Sequence, residues 1–103
     1  MYHYVQTWLD QTPDPDLQGK QVQYLVEFAN SNGPSTISPG SGFADILAGK
    51  APQVSIPTDP DGAATKRNIY RQLIDSSGTT RDREEVDIVN DNTTQVWVDG
   101  KKS

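Results

Sequence analysis

The chain has 103 residues, 33% of them hydrophobic, no cysteine and a formal charge of −5. That length gives one domain with a modest core, and the missing cysteine excludes disulfides and thiolate sites for metal or redox chemistry. The acidic balance speaks against nucleic acid, because the basic pairs Lys66-Arg67 and Lys101-Lys102 form no stripe for a phosphate backbone.

No apolar run of about 18 residues marks a transmembrane helix. The first residues, Met1-Tyr2-His3-Tyr4, lack the basic and apolar regions of a secretory signal. The acids are skewed, with 11 Asp against 3 Glu. Asp favours turns and caps, whereas Glu is a helix former. Nine Thr, 8 Val and 6 Ile stand against 5 Leu and 6 Ala, so the composition leans to strands and turns.

Residues 2–9 are rich in aromatic and β-branched side chains and read as a strand. Strict alternation places His3, Val5, Thr7 and Leu9 on one side and Tyr2, Tyr4, Gln6 and Trp8 on the other. Residues 10–19 hold Pro13 and Pro15 and read as a linker. Residues 20–30 alternate most clearly: Val22, Tyr24, Val26 and Phe28 point one way, Gln21, Gln23 and Glu27 the other, with Leu25 as the exception. Asn32-Gly33 is a turn signal. A short polar strand follows at 35–38, then breakers at 39–42.

Residues 43–50 fit either one helical turn closed by Gly49 or a short strand, with the strand favoured by its surroundings. Val54 and Ile56 alternate in a short strand ending at Pro57, and residues 58–62 form an Asp-Pro-Asp-Gly turn. Residues 67–74 read as a strand with Ile69 and Leu73 inward and Tyr70 outward. Residues 75–80 make a hairpin loop, 85–89 a strand with Val86 and Ile88 inward, 90–92 a turn, and 94–98 the last strand. About seven strands joined by short connections predict an all-β, antiparallel β-sandwich. Three parts follow: an N-terminal strand or arm with a Pro-rich linker at 1–19, the sandwich at 20–100, and a tail at 101–103. The expected core is Val22, Tyr24, Val26, Phe28, Val54, Ile56, Ile69, Val86 and Ile88.

Catalytic chemistry finds little support. His3 is the single histidine, too few for a zinc site, and a Ser-His-Asp triad needs it buried. The loop acids Asp14, Asp16, Asp59, Asp61, Asp87, Asp91 and Asp99 miss the calcium-loop spacing and read as turn chemistry. The segment before Gly49-Lys50 fails the phosphate-loop pattern, with Ala44 in place of the first glycine and Ala51 in place of Ser or Thr. Asn92-Thr93-Thr94 fits a glycosylation sequon but reads as a turn. The chain is therefore expected to be no enzyme and to carry no cofactor or metal. Tyr2, Tyr4 and Trp8 share one face of a segment expected outside the sandwich. They are the candidate partner-binding residues, docking on a neighbour by strand addition.

The stretch Gln23-Tyr24-Leu25-Val26-Glu27-Phe28-Ala29-Asn30 precedes Asn32-Gly33. Val54-x-Ile56-Pro57, Pro60-Asp61-Gly62, Lys66-Arg67-Asn68-Ile69-Tyr70-Arg71, Val86-x-Ile88 and Asp91-Asn92-Thr93-Thr94 follow in order. This succession, over roughly four-fifths of the chain, resembles fibronectin-III-like or immunoglobulin-like modules of tailed-bacteriophage virion proteins. The Ile-Tyr-Arg step with Asp-Asn-Thr-Thr downstream is its most specific part. The resemblance implies a spacer, decoration or adhesion unit without catalytic residues, placed on the virion among other virion proteins in many copies. Tail, fibre or baseplate is the first expectation, capsid decoration or neck the second. A glycan-binding adhesion module that stacks host-surface sugars on Tyr2, Tyr4, Trp8 or Trp97 is the alternative from another class. Asn92 is expected in a left-handed turn conformation before the last strand.

Overall fold

The computed structural model describes residues 4–38, 40 and 42–100. Its strands are β1 (Val5–Leu9), β2 (Gln21–Asn30), β3 (Gly33–Ile37), β4 (Ala44–Asp45), β5 (Ala51–Ser55), β6 (Lys66–Ile74), β7 (Glu84–Val89) and β8 (Val96–Val98), with one 3-10 turn at Pro15–Leu17. All pair antiparallel, in a three-stranded sheet β1-β5-β8 and a five-stranded sheet β3-β2-β6-β7 in which β4 also pairs with β2. The two sheets pack as the expected antiparallel sandwich. The chain changes sheet after β1, β4, β5 and β7, so neither layer is a continuous piece of sequence.

The period-two pattern of β2 decides the layering. β2 and β6 pair from Gln21↔Ile74 to Ala29↔Lys66 without a break. Residues opposite one another in an antiparallel pair share a face. Val22, Tyr24 and Val26 on β2 and Ile69 and Leu73 on β6 therefore point into the sandwich together. They meet Val54 and Ile56 on the β5 side, Trp97 on β8, and Tyr4 and Leu17 from the N-terminal segment. Phe28 and Val86 pack on the rim of this core. Ile69 lies beside Val26 in the same sheet. Leu25 is on the outer face yet buried. Gly40 returns over that face and lies against the end of the neighbouring Gln23 side chain, which would have to move aside for a Cβ.

Ile88, expected in the core, is 43% exposed. The cause is a register shift between Ile69 and Tyr70: Ile69 faces Asp87, but Tyr70 faces Glu85. The extra residue, Val86, reverses the alternation. Glu84, Asp87 and Val89 turn inward and Ile88 turns out. A second irregularity, between Val5 and Thr7 in β1, lets Tyr4 and Val5 both reach the core.

The N-terminal segment is part of the sandwich rather than an arm beside it. β1 pairs with β5 from Val5↔Val54 to Leu9↔Ala51, and Pro13 bridges to Gly100 beyond β8. Residues 43–50 hold a two-residue strand, the favoured reading, and then a tight turn with Gly49 at φ 74° in place of the helical turn. No non-glycine residue described has positive φ, so Asn92 is not left-handed; its side chain does the work instead, as shown below.

Tyr4→Ala should destabilise the protein by about 3 kcal/mol in urea denaturation, in the range of buried aromatic truncations. Deleting residues 1–9 should abolish cooperative melting. A truncated chain that keeps the full-length urea midpoint would show that the segment is dispensable to the fold.

Candidate functional site

The inward face of β6 alternates Arg67, Ile69, Arg71, Leu73, so two arginines enter the sandwich. Unpaired burial of a guanidinium is prohibitive, and each is met by a different set of partners. Arg71 Nη1 pairs with Asp14 Oδ2 at 2.9 Å and with Asp99 Oδ2 at 3.0 Å, and its Nε donates to Glu84 Oε1 at 2.8 Å. Asp99 is fully buried and also accepts the Tyr24 hydroxyl at 2.6 Å. Burial disfavours the Arg71 cation, but Asp99, Glu84 and Asp14 outweigh it and push its pKa above an already high value. Burial and the Asp99 charge push the Tyr24 phenol far up as well, which keeps it a donor.

Arg67 sits at the other end of the face. Its Nε and Nη2 donate to Asp91 O and Oδ1 at 3.0 and 2.8 Å, and Nη1 donates to Pro57 O at 3.0 Å. Asp91 Oδ1 also accepts the Thr93 and Thr94 backbone N–H groups, and Oδ2 accepts the Thr94 hydroxyl. Those Thr94 and Thr93 bonds, with Arg67, pull the Asp91 carboxyl down to about 2. Asn92 bonds Asp59 in both directions through its side-chain amide, which occupies the nitrogen a sequon would present. Asp59 accepts the N–H groups of Asp61 and Ala64, so these loop acids serve turns. Among the described residues no group of three or more potential ligands is arranged for a metal.

The predicted aromatic contact face does not assemble. Tyr2, like His3, lies outside the described residues. Tyr4 is in the core, and Trp8 is half-buried on β1 opposite Pro52. Trp97 is buried edge-to-face on Tyr24 at 5.8 Å, with its Nε1 donating to Asp87 at 2.7 Å. A cleft of about 420 Å³ lies among Lys20, Asp45 and Asp75. These side chains are engaged with Asp16 O, Gln21 and Arg81 respectively.

The outer face of the five-stranded sheet presents a different arrangement. Register places Ile37, Glu27, Asn68 and Ile88 in one row across β3, β2, β6 and β7. Glu27 Oε1 accepts from Asn68 Nδ2 at 2.9 Å and from the Tyr70 hydroxyl at 3.3 Å. Desolvation, and next the Glu27 charge, raise the Tyr70 pKa. Arg83 lies 6.0 Å from the Tyr70 ring centre. Sequence reasoning placed Ile88 inside and passed over Ile37. The signal for this row was the outward phase of β2 itself. No protein-family model matches the chain, and no curated protein matches it.

Arg71→Met leaves Asp14 and Asp99 without their shared cation and should destabilise by about 3–5 kcal/mol. Adding Asp99→Asn should recover part of that loss, a coupling readable in a double-mutant cycle of urea midpoints. Strict additivity would mean that the two side chains do not act on each other.

Asp91 is a second test. A lowered folded pKa gives stability that is present above the unfolded value, ordinarily 3.8, and lost as pH falls towards about 2. The advantage of the wild type over Asp91→Asn should therefore shrink across that acid window and stay constant above it. An advantage independent of pH would remove the carboxylate from the account.

Proposed function

We propose that the chain is a non-enzymatic structural module of a tailed-bacteriophage virion. It works in the tail, fibre or baseplate region by holding protein contacts for assembly or host-surface attachment. The observation that carries the reading joins two segments of the sequence resemblance, the one that contains the Ile-Tyr-Arg step and Asp-Asn-Thr-Thr. Arg67, which opens the Arg-Asn-Ile-Tyr-Arg segment, bonds through Nη2 to Asp91, which opens Asp-Asn-Thr-Thr. Asp91 in turn caps Thr93 and Thr94. Two motifs 24 residues apart thus meet in one structural unit, which supports reading them together.

The use of charge supports the same reading. The acids nearest the interior hold arginines, tryptophan and turn backbone in place, which suits a rigid building block. A place as capsid decoration or neck protein fits the same architecture. The glycan-binding alternative is weakened, because Tyr4 and Trp97, two of its four stacking platforms, are buried.

Quantitative mass spectrometry of purified virions from the phage encoding this chain is the test. A fixed stoichiometry is expected: multiples of three or six for tail tip, fibre or baseplate, hundreds for a decoration. A chain abundant in the lysate but missing from particles would overturn the reading.

A further inference from the structure

The row Ile37–Glu27–Asn68–Ile88 carries groups that the fold itself leaves unanswered. Glu27 is half-buried, and the hydrogen bonds to its carboxylate come from two neutral donors, with no ion pair to it among the described residues. Asn68 is 8% exposed, and its Oδ1 has no hydrogen-bond donor. Its orientation is fixed, because Nδ2 must face Glu27 to donate. A buried acceptor without a donor is unfavourable. On either side, Ile37 and Ile88 are 37% and 43% exposed. At the usual strand spacing the four residues span roughly 14 Å.

We propose that this face docks a partner protein that seats a lysine or, better, an arginine on Glu27, with apolar side chains covering Ile37 and Ile88. A guanidinium carries five N–H donors in a planar fork, enough to pair both oxygens of Glu27. Apolar cover on both sides excludes water and strengthens such a charged contact, the arrangement found at interface hot spots. Charge decides against a second copy of this chain as occupant. The face carries Glu27 and, in the next row, Glu85, with Lys66 in the same phase and Arg83 against the Tyr70 ring, and a second copy brings the same net charge of −5 to the contact. A chain of charge −5 selects a basic partner.

The partner's identity as another virion protein rests on the proposed function, and particle assembly tests both separately. Virions are assembled with wild-type chain, Glu27→Gln, Glu27→Lys, the double variant Ile37→Asp/Ile88→Asp, and Val96→Asp on the other sheet as control. Glu27→Gln keeps an acceptor for Asn68 and Tyr70, so equal melting of this variant and wild type separates docking from folding. Copies per particle should fall severalfold for Glu27→Gln and about tenfold or more for Glu27→Lys and the double variant. Val96→Asp should be retained.

A photo-crosslinker at position 88 in assembled particles should join a different virion protein at a peptide containing Lys or Arg. Full retention of the folded Glu27→Lys and double variants would overturn the docking face while leaving the virion module standing. So would crosslinks only to a second copy. Absence of the wild-type chain from particles overturns the virion reading and this inference with it.

Discussion

The fold depends on two guanidinium groups that point into the sandwich from one strand. Arg67 and Arg71 stand four residues apart on the inner face of β6, with Ile69 between them. From that one strand they reach residues 14, 57, 84, 91 and 99. These positions lie in the N-terminal loop, after β5, on β7, in the β7–β8 turn and after β8. In a chain only 33% hydrophobic, apolar burial alone gives weak instruction about which loop closes over which end. Hydrogen bonds of fixed geometry give that instruction. Well-packed apolar side chains could match such buried pairs in stability, but they would not choose between one loop and another. The arginines act as selectors of topology as much as sources of stability.

The charge around Arg71 is unbalanced, and its layout shows how the imbalance is tolerated. Asp14 and Asp99 are the inner carboxylates, with side chains 10% and 0% exposed, and they take the guanidinium and the Tyr24 hydroxyl. Glu84 and Asp16 are largely exposed, so water screens the remaining negative charge. The cluster is graded from dry to wet across the edge of the sandwich. The N-terminal loop belongs to this gradient. Asp14 receives Asp16 N–H on Oδ1 while Oδ2 holds Arg71. The loop is fixed at both ends, by β1 on β5 and by Asp14 on β6.

Much of the fold was legible because β2 states its phase clearly and because Asn-Gly and Asp-Pro-Asp-Gly mark turns. Tyr24, Val26, Val54 and Ile69 follow from alternation alone. Other features were legible only in part. Arg67 and Arg71 share the phase of Ile69 and Leu73, yet residue preference reads arginine as exposed; phase was the better guide. The bulge at Val86 leaves no mark in composition, so alternation alone puts Ile88 on the wrong face. Tyr4 and Trp97 are buried because β1 and β8 flank β5, a pairing between positions nearly fifty residues apart that local pattern does not encode. Asn92 was recognised as a turn residue for its backbone freedom, whereas its amide bonds Asp59 across the end of the sandwich.

The strand edges bear on how the molecule meets others. An open edge invites pairing with any exposed strand, and natural sheets blunt it with proline, charge, irregularity or shortness. Each device occurs here. β3 contains Pro34, β7 carries Glu84, Glu85 and Asp87, β1 has an irregular register between Val5 and Thr7, and β8 has only three residues with Pro13 bridging just beyond it. Contact by strand addition is therefore opposed at every edge described. The outer face of the five-stranded sheet carries no such device. Its two isoleucines are held outward by backbone register, one of them by a bulge without which it would face the core. Within the domain the bulge sets Glu84 on Arg71 and Asp87 on the Trp97 indole, and the same shift leaves Ile88 turned to solvent, an apolar side chain that gains a contact once that face is covered.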